Sequence, residues 1–430
     1  MTTAVPLGYP IHTETLPNGL RVIVNPDHAV PFVAVNLWYD VGSRDEEPRR
    51  TGLAHLFEHV MFQGSEHVAS GEHFNALQAS GATGNATTWF DRTNYFEAVP
   101  TGALDLALWL EADRMGNLLP ALTQENLDTQ REVVKEEKRQ RYDNAPYGDT
   151  LDHLLALAFP PEHPYGHTVI GSMDDLDAAS LADAHDFFTT WYSPQNAVLT
   201  LVGDVTAHDG VAKARKYFGR LPRRPVPERG GLAPLPPHEG VPRRATSAPV
   251  PADMLYALWR TPSRGSRAAD AVDIALTVLG GSETSRLYHR LVRADATCSG
   301  AGASAIPLVR GNSLGLAFAR ALDGQDLTGI EAALCEEVVR LCDEGPTEPE
   351  LQRARAQFER EWLGQCARLE ARADLLSGHA TMFDDPARVN RRIVEYSSIS
   401  ADEVRDVTRR WLHPDQRAVL EYRRGPLGGG

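Results

Sequence analysis

Near the start of the chain, apolar and polar positions follow a short-strand pattern. Thr13 to Leu16, the turn Pro17-Asn18-Gly19 and Leu20 to Val24 read as a β-hairpin on an Asn-Gly turn, and Phe32 to Trp38 as a further apolar strand. The period then lengthens. Gly52 to Gln63, with Thr51 as the expected N-cap and Gly64 as the expected C-cap, reads as a helix. Strands interrupted by amphipathic helices, without strict alternation, predict an α+β fold with helices packed on an antiparallel-rich sheet.

Between Leu221 and Pro251 the periodicity breaks on nine prolines, which exclude a helix or a central strand and mark an extended connector. The expected domains are therefore 1–220 and 251–430, joined by a linker at 221–250. The two parts also look related. Asp186-x4-Trp191-x-x-Pro194 precedes the apolar run Ala197 to Val202, and Asp406-x4-Trp411-x-x-Pro414 precedes Ala418-Val419-Leu420. Each stretch has a serine near its start (Ser180, Ser400), so a duplicated helix-to-strand unit is expected.

Composition removes several function classes. The net charge is -15, from 43 basic and 58 acidic side chains, and a surface of that sign repels phosphate backbones, so no nucleic-acid partner is expected. No apolar run approaches membrane-spanning length. The first residues lack a signal-peptide pattern and carry no arginine before Arg21, so a cytoplasmic protein is expected. Lysine is confined to four positions, Lys135, Lys138, Lys213 and Lys216, a usage that reads as codon bias in a GC-rich genome. Cys298, Cys335, Cys342 and Cys366 show no C-x-x-C spacing and are expected to be buried, reduced thiols.

The sharpest chemical feature is His55-Leu56-Phe57-Glu58-His59. On a helix the two histidines lie one turn apart on the same face, where both imidazoles reach one cation. Glu58 lies beside them, free to take a proton from a metal-bound water, and the order is that of the inverted zinc-peptidase motif. A catalytic zinc takes three protein ligands. Downstream, Gln130 to Lys138 reads as an acidic helix. At about 100° per residue, Glu137 falls between Val133 and Val134, while Glu136 lies about 160° from Val134, on the solvent side. An inward Glu137 needs a partner such as a metal.

Two other motifs compete. Gly311-Asn312-Ser313-Leu314-Gly315 fits G-x-S-x-G, but Leu314 to Phe318 reads as a strand rather than the helix a serine nucleophile needs. His163 and His167 are four apart, but Pro164 and Gly166 favour a loop over a second metal site.

Further segments fall in a telling order. They are Leu16-Pro17-Asn18-Gly19-Leu20, Gly42-Ser43, Gly52 to His59, Gly84-Asn85-Ala86-Thr87-Thr88, Asp91 to Tyr95, Arg131 to Glu137 and His163-Pro164-Tyr165-Gly166-His167. Together they resemble the pitrilysin (insulinase) zinc metallopeptidases, in the branch with mitochondrial processing peptidase and small bacterial two-domain members. The resemblance implies Zn2+ as cofactor, His55, His59 and Glu137 as its ligands, and Glu58 as the general base. It implies that Asn85 and Ala86 hold the peptide substrate's backbone by β-addition. It also places Gln130 where the family usually has a second glutamate behind the metal site.

The C-terminal part matches through Gly280 to Tyr288 and Arg293. Here the resemblance implies an Arg with a Tyr seven residues on, both engaging substrate, but this chain has Gly300 at the Tyr position. The implied protein is a zinc endopeptidase subunit of two related domains, half of a clamshell. Its expected partner is a related chain that lacks H-x-x-E-H and supplies the Arg/Tyr pair, with a homodimer as the second option. A non-catalytic core subunit of the same family is the alternative function.

Overall fold

The computed structural model describes residues 5–425. Strands β1 (His12–Thr15), β2 (Arg21–Pro26), β3 (Phe32–Tyr39), β4 (Thr83–Thr88), β5 (Thr93–Pro100) and β6 (Ala197–Gly203) form one sheet. Strands β7 (Arg243–Ala248), β8 (Met254–Pro262), β9 (Cys298–Ile306), β10 (Asn312–Ala321) and β11 (Ala418–Arg424) form a second. The helices are α1 (Leu53–Val60), α2 (Glu72–Ala79), α3 (Leu104–Asn117), α4 (Gln124–Lys138), α5 (Thr150–Ala158), α6 (Met173–Ala178) and α7 (Leu181–Trp191). They continue as α8 (Ala207–Phe218), α9 (Arg267–Gly280), α10 (Leu327–Glu344), α11 (Glu348–Ala367), α12 (Leu369–Phe383), α13 (Arg392–Ser397) and α14 (Ala401–Trp411). No helix of the described residues is long and apolar enough to cross a membrane.

The first sheet runs β1-β2-β6-β3-β5-β4, and the second β7-β11-β8-β10-β9. In both, one neighbouring pair is parallel (β2 with β6, β7 with β11) and the rest are antiparallel. Strands β2 to β6 and β7 to β11 therefore share one topology in the same chain order, the duplication that the repeated Asp/Trp/Pro pattern suggests. The helix starts repeat as well. Ser180 caps α7 in a capping box with Asp183, and Ser400 caps α14 in a capping box with Glu403.

The β1–β2 hairpin forms as expected, with His12 opposite Val24 and Thr15 opposite Arg21, but its turn is the three-residue loop Pro17 to Gly19, in which the Gly19 N–H donates to the Leu16 carbonyl at 2.8 Å. Gly19 takes φ 93°, a left-handed turn position suited to glycine. Strand β6 is buried along its whole length because helices cover both faces of its sheet. The Ser377 hydroxyl of α12 donates to Thr200 Oγ1, while Gly210 of α8 packs against Leu201, the next residue and hence the other face.

The domain boundaries differ from the expected linear ones. One compact unit takes the residues up to 138 together with 167–229 and 361–392, and the other takes 139–166, 230–360 and the residues from 393 on. The proline-rich segment is extended as expected, but it also supplies the edge strand β7. The physical reason is coverage. The β3–β6 face is closed by α12, whose Gly378 sits against the Trp38 ring and whose Asp374 accepts the Trp38 indole N–H at 2.9 Å.

Helix α1 also starts differently. Its N-cap is Gly52 at φ 88°, a turn that carries Thr51 away from capping, and the Thr51 hydroxyl instead donates to Asp175 at 2.5 Å. The buried carboxylate of Glu46 accepts the helix-end N–H groups of Gly52 (2.9 Å) and Ala54 (2.7 Å). Three of the cysteines are buried and Cys335 is partly buried, all as free thiols.

Candidate metal centre

Helix α1 buries Leu53, Ala54, Leu56, Phe57 and Val60. Phe57 anchors it, packing 4.7 Å from the Tyr192 ring and 5.5 Å from that of Phe187. With that stripe fixed inward, His55 and His59 lie side by side, ring centroids 4.9 Å apart and nearly perpendicular. Helix α4 packs alongside, held by buried Leu127 and Val134. It brings Glu137 Oε2 to 3.8 Å from His55 Nε2 and 3.5 Å from His59 Nε2. Glu136 is exposed. Zinc ligands held at about 2.0–2.2 Å in a tetrahedron lie roughly 3.4 Å from one another, so this two-imidazole, one-carboxylate set fits a zinc ion in kind and in spacing.

Glu58, between the two histidines in sequence, accepts a hydrogen bond from the Thr88 hydroxyl at 2.5 Å. Burial pushes its carboxyl above the ordinary range, with the like charge of Glu137 adding to it; the Thr88 hydrogen bond, His59 and Arg92 work against the rise. Thr88 ends β4, which carries Asn85 and Ala86 and is an edge strand paired only with β5. Asn85 Oδ1 accepts the Ala86 N–H at 2.9 Å. Arg92 braces the β4–β5 turn by donating to the Thr87 carbonyl at 2.7 Å and to Asn94 at 3.0 Å. Gln130 is buried on α4, two turns before Glu137.

Other expected residues lie elsewhere. Arg293 belongs to the second unit, on a π-helical turn, about half exposed, with Glu283 at 3.7 Å and its guanidinium over the Tyr288 ring. Gly300 lies on β9, an edge strand, with open space where a Cβ would stand. Ser313 is buried on β10, and its hydroxyl donates to the Leu308 carbonyl at 3.0 Å; a strand follows it, not a helix. His163 stacks on Phe159 at 4.4 Å, and the Nδ1 of His167 lies 3.6 Å from Glu46. Neither joins a three-donor group among the described residues.

Sequence reasoning missed two supports of the site. Glu46 acts across a loop on the start of α1, and no local spacing reveals that. Thr88 stands in the Gly84-to-Thr88 segment, and alternation along β4 puts it on the Ala86 side of the sheet.

A second buried cluster, His73, Glu97 and Glu111, also gathers three donor atoms. Arg114 already lies within it, donating to both Glu111 oxygens and standing 3.7 Å from Glu97. Burial drives the His73 imidazolium pKa down to about 3, so that ring is neutral, and raises the Glu97 carboxyl well above its ordinary value. The guanidinium supplies the positive charge that a cation would otherwise bring.

Comparison with known proteins bears on this geometry. Residues 21–171 match the family described as Insulinase (Peptidase family M16), and residues 178–358 match the one described as Peptidase M16 inactive domain. His55, Glu58, His59 and Glu137 all fall within the first match. The chain is 32% identical over 287 residues to the zinc protease PqqE of Helicobacter pylori, covering 65% of this chain and 63% of that protein. It is 28% identical over 212 residues to a probable mitochondrial-processing peptidase subunit beta of Arabidopsis thaliana, covering 49% of this chain and 39% of that protein. The match thus spans less than two thirds of the length of these curated relatives. Among solved structures, a protease from Helicobacter pylori aligns with TM-score 0.88 at 25% identity, over 98% of this chain and 100% of that one. A peptidase M16 inactive domain from Pseudomonas fluorescens shares the fold, with TM-score 0.84 at 19% identity over 97% of this chain and 98% of that one.

Proposed function

Since the chain belongs to the insulinase family of peptidases, family M16, we propose that it is a zinc-dependent endopeptidase subunit acting on unfolded peptides or small proteins. The observation that carries this reading is the convergence of His55, His59 and Glu137, with Glu58 at their side. A zinc ion held by those three side chains would polarise a peptide carbonyl and acidify a water toward neutrality. Glu58 takes the proton from the attacking water and delivers it to the leaving amine nitrogen. Its partly buried carboxylate, held at one oxygen by Thr88, keeps the other oxygen for that transfer. The sheet edge formed by β4, with Asn85 exposed and Ala86 buried, pairs with the substrate backbone.

The reading extends to assembly. With Gly300 at the position where the resemblance calls for a tyrosine, a related chain lacking H-x-x-E-H and carrying the Arg/Tyr pair is the proposed partner.

Metal analysis of purified protein is expected to give about one zinc per chain. Cleavage of an unstructured peptide should stop with a chelator and return with zinc. Glu58→Gln should keep the metal and lose at least about 100-fold in kcat. A metal-free or inactive parent defeats the reading in favour of a non-catalytic core subunit, and a Glu58→Gln variant that cleaves as fast as the parent overturns the assignment of the base.

A further inference from the structure

Thr88 is the last residue of edge strand β4 and the donor to the proposed base, so one side chain joins the strand that would take up substrate to the group that would move the proton. Its rotor is constrained from behind. Thr93 stands directly opposite, buried, with its hydroxyl 3.0 Å from the Val41 carbonyl and 3.5 Å from the Thr88 hydroxyl; both contacts have Thr93 as donor, and the Thr88 hydroxyl donates to Glu58 Oε2. Arg92 holds the adjacent turn through the Thr87 carbonyl, so the end of β4 is fixed on the β5 side and open on the other.

We propose that Thr88 is a positioning residue that transmits peptide pairing on β4 to the carboxylate of Glu58. This rests on the endopeptidase reading above and deepens it. A carboxylate with one oxygen anchored is confined to orientations that aim the other oxygen at the attacking water. Pairing a further strand onto β4 stiffens its backbone, and with it the Cα–Cβ bond that carries the anchoring hydroxyl. Binding energy from substrate residues remote from the scissile bond is then spent on orienting the base, and it appears in kcat rather than in KM. The site would thus favour extended peptides over short ones, without requiring a specific side chain.

The test compares the parent, Thr88→Val (the same shape without the hydroxyl), Thr88→Ala and Thr88→Ser. Two substrates are used: an unstructured peptide long enough to pair along the six residues of β4, and one of about four residues around the same scissile bond. The parent should show a higher kcat on the long peptide. Thr88→Val should lose about 10- to 100-fold in kcat on the long peptide, the scale of a lost hydrogen bond to a charged group. Its KM should stay within about twofold, its zinc content should be unchanged, and its kcat should no longer depend on peptide length. Thr88→Ser should restore both the rate and the length dependence, and Thr88→Ala stands in if Thr88→Val melts early.

The proposal is overturned if a folded, zinc-loaded Thr88→Val or Thr88→Ala keeps the parental kcat, if the loss falls on KM, or if Thr88→Ser does not rescue. A parent with no length dependence also overturns it. If instead the zinc-loaded parent cleaves neither peptide, the endopeptidase reading itself has failed, and the two failures are distinct.

Discussion

At the scale of single residues, the sharpest question is which of two adjacent carboxylates faces the histidines. Glu137 Oε2 lies within 4 Å of both imidazoles, and Glu136 faces solvent. Glu137→Gln should therefore drop zinc content from about one per chain to near zero, while Glu136→Gln retains it, as read by metal analysis after dialysis. Loss with Glu136→Gln alone would reverse the assignment. This distinction was legible in the sequence because Leu127 and Val134, seven residues apart and both buried, fix the helix phase, and phase is a local property; Val133, on the far flank of Glu137, is exposed. The Glu46 carboxylate at the start of α1 was not legible. Capping rules see only neighbours and assign that cap to Thr51, the polar residue next to the apolar stripe. The left-handed φ at Gly52 lets a residue six positions earlier take the N–H groups instead.

At the scale of elements, the start of α11 is a compact example of charge setting stability. Glu350 accepts from the Thr347 N–H at 2.7 Å and hydroxyl at 2.9 Å, and from Arg286 Nε and Nη2, both at 2.8 Å. Burial opposes its ionisation, but the guanidinium and the helix-end donors outweigh that and hold the carboxyl down at about 2, against 4.5 ordinarily. A depressed carboxylate pKa stabilises the fold above the unfolded value, and the stabilisation is lost as pH falls from about 4.5 toward 2. Glu350→Gln should therefore cost about 1–2 kcal/mol at pH 7, allowing for solvent screening, and much less near pH 3, measured by urea unfolding. An equal cost at both pH values would assign the effect to shape rather than charge. Strands and helices themselves were readable where one signal dominates, as in the Asn18-Gly19 hairpin and the Ser180 and Ser400 caps. Strand β7 was hidden, because Pro242 and Pro249 frame it and its residues are largely polar; it survives as an edge strand, paired in parallel with β11 alone.

At the scale of the whole molecule, the duplication gives Gly300 a definite place. It lies on β9, the counterpart of β4 in the second sheet, and a Cβ there meets nothing within 4 Å. Gly300→Tyr should fold with a stability change of no more than about 0.5 kcal/mol. If Arg293 and a tyrosine at this position act together on substrate, the variant should lower KM for an unstructured peptide and shrink the gain obtained on mixing with a related Arg/Tyr-bearing chain. An unchanged KM would remove Gly300 from the account of substrate binding. The repeat itself was visible in the Asp/Trp/Pro pattern, but the division of the chain was not. A proline-rich stretch marks where regular structure pauses, whereas compactness is decided by which helix closes which sheet face. That difference has a consequence for how the protein is made. Strands β3 and β6 are complete once residue 203 has been synthesised, yet α12, which seats against Trp38 and Thr200, ends at residue 383. At bacterial to eukaryotic translation speeds the ribosome needs about 10–40 s to add the intervening residues. Throughout that interval the face of the nascent first sheet that carries Trp38 and Val202 beside Asn36 and Thr200 stands uncovered, and a gene cut at the proline-rich segment would leave its product in that state permanently.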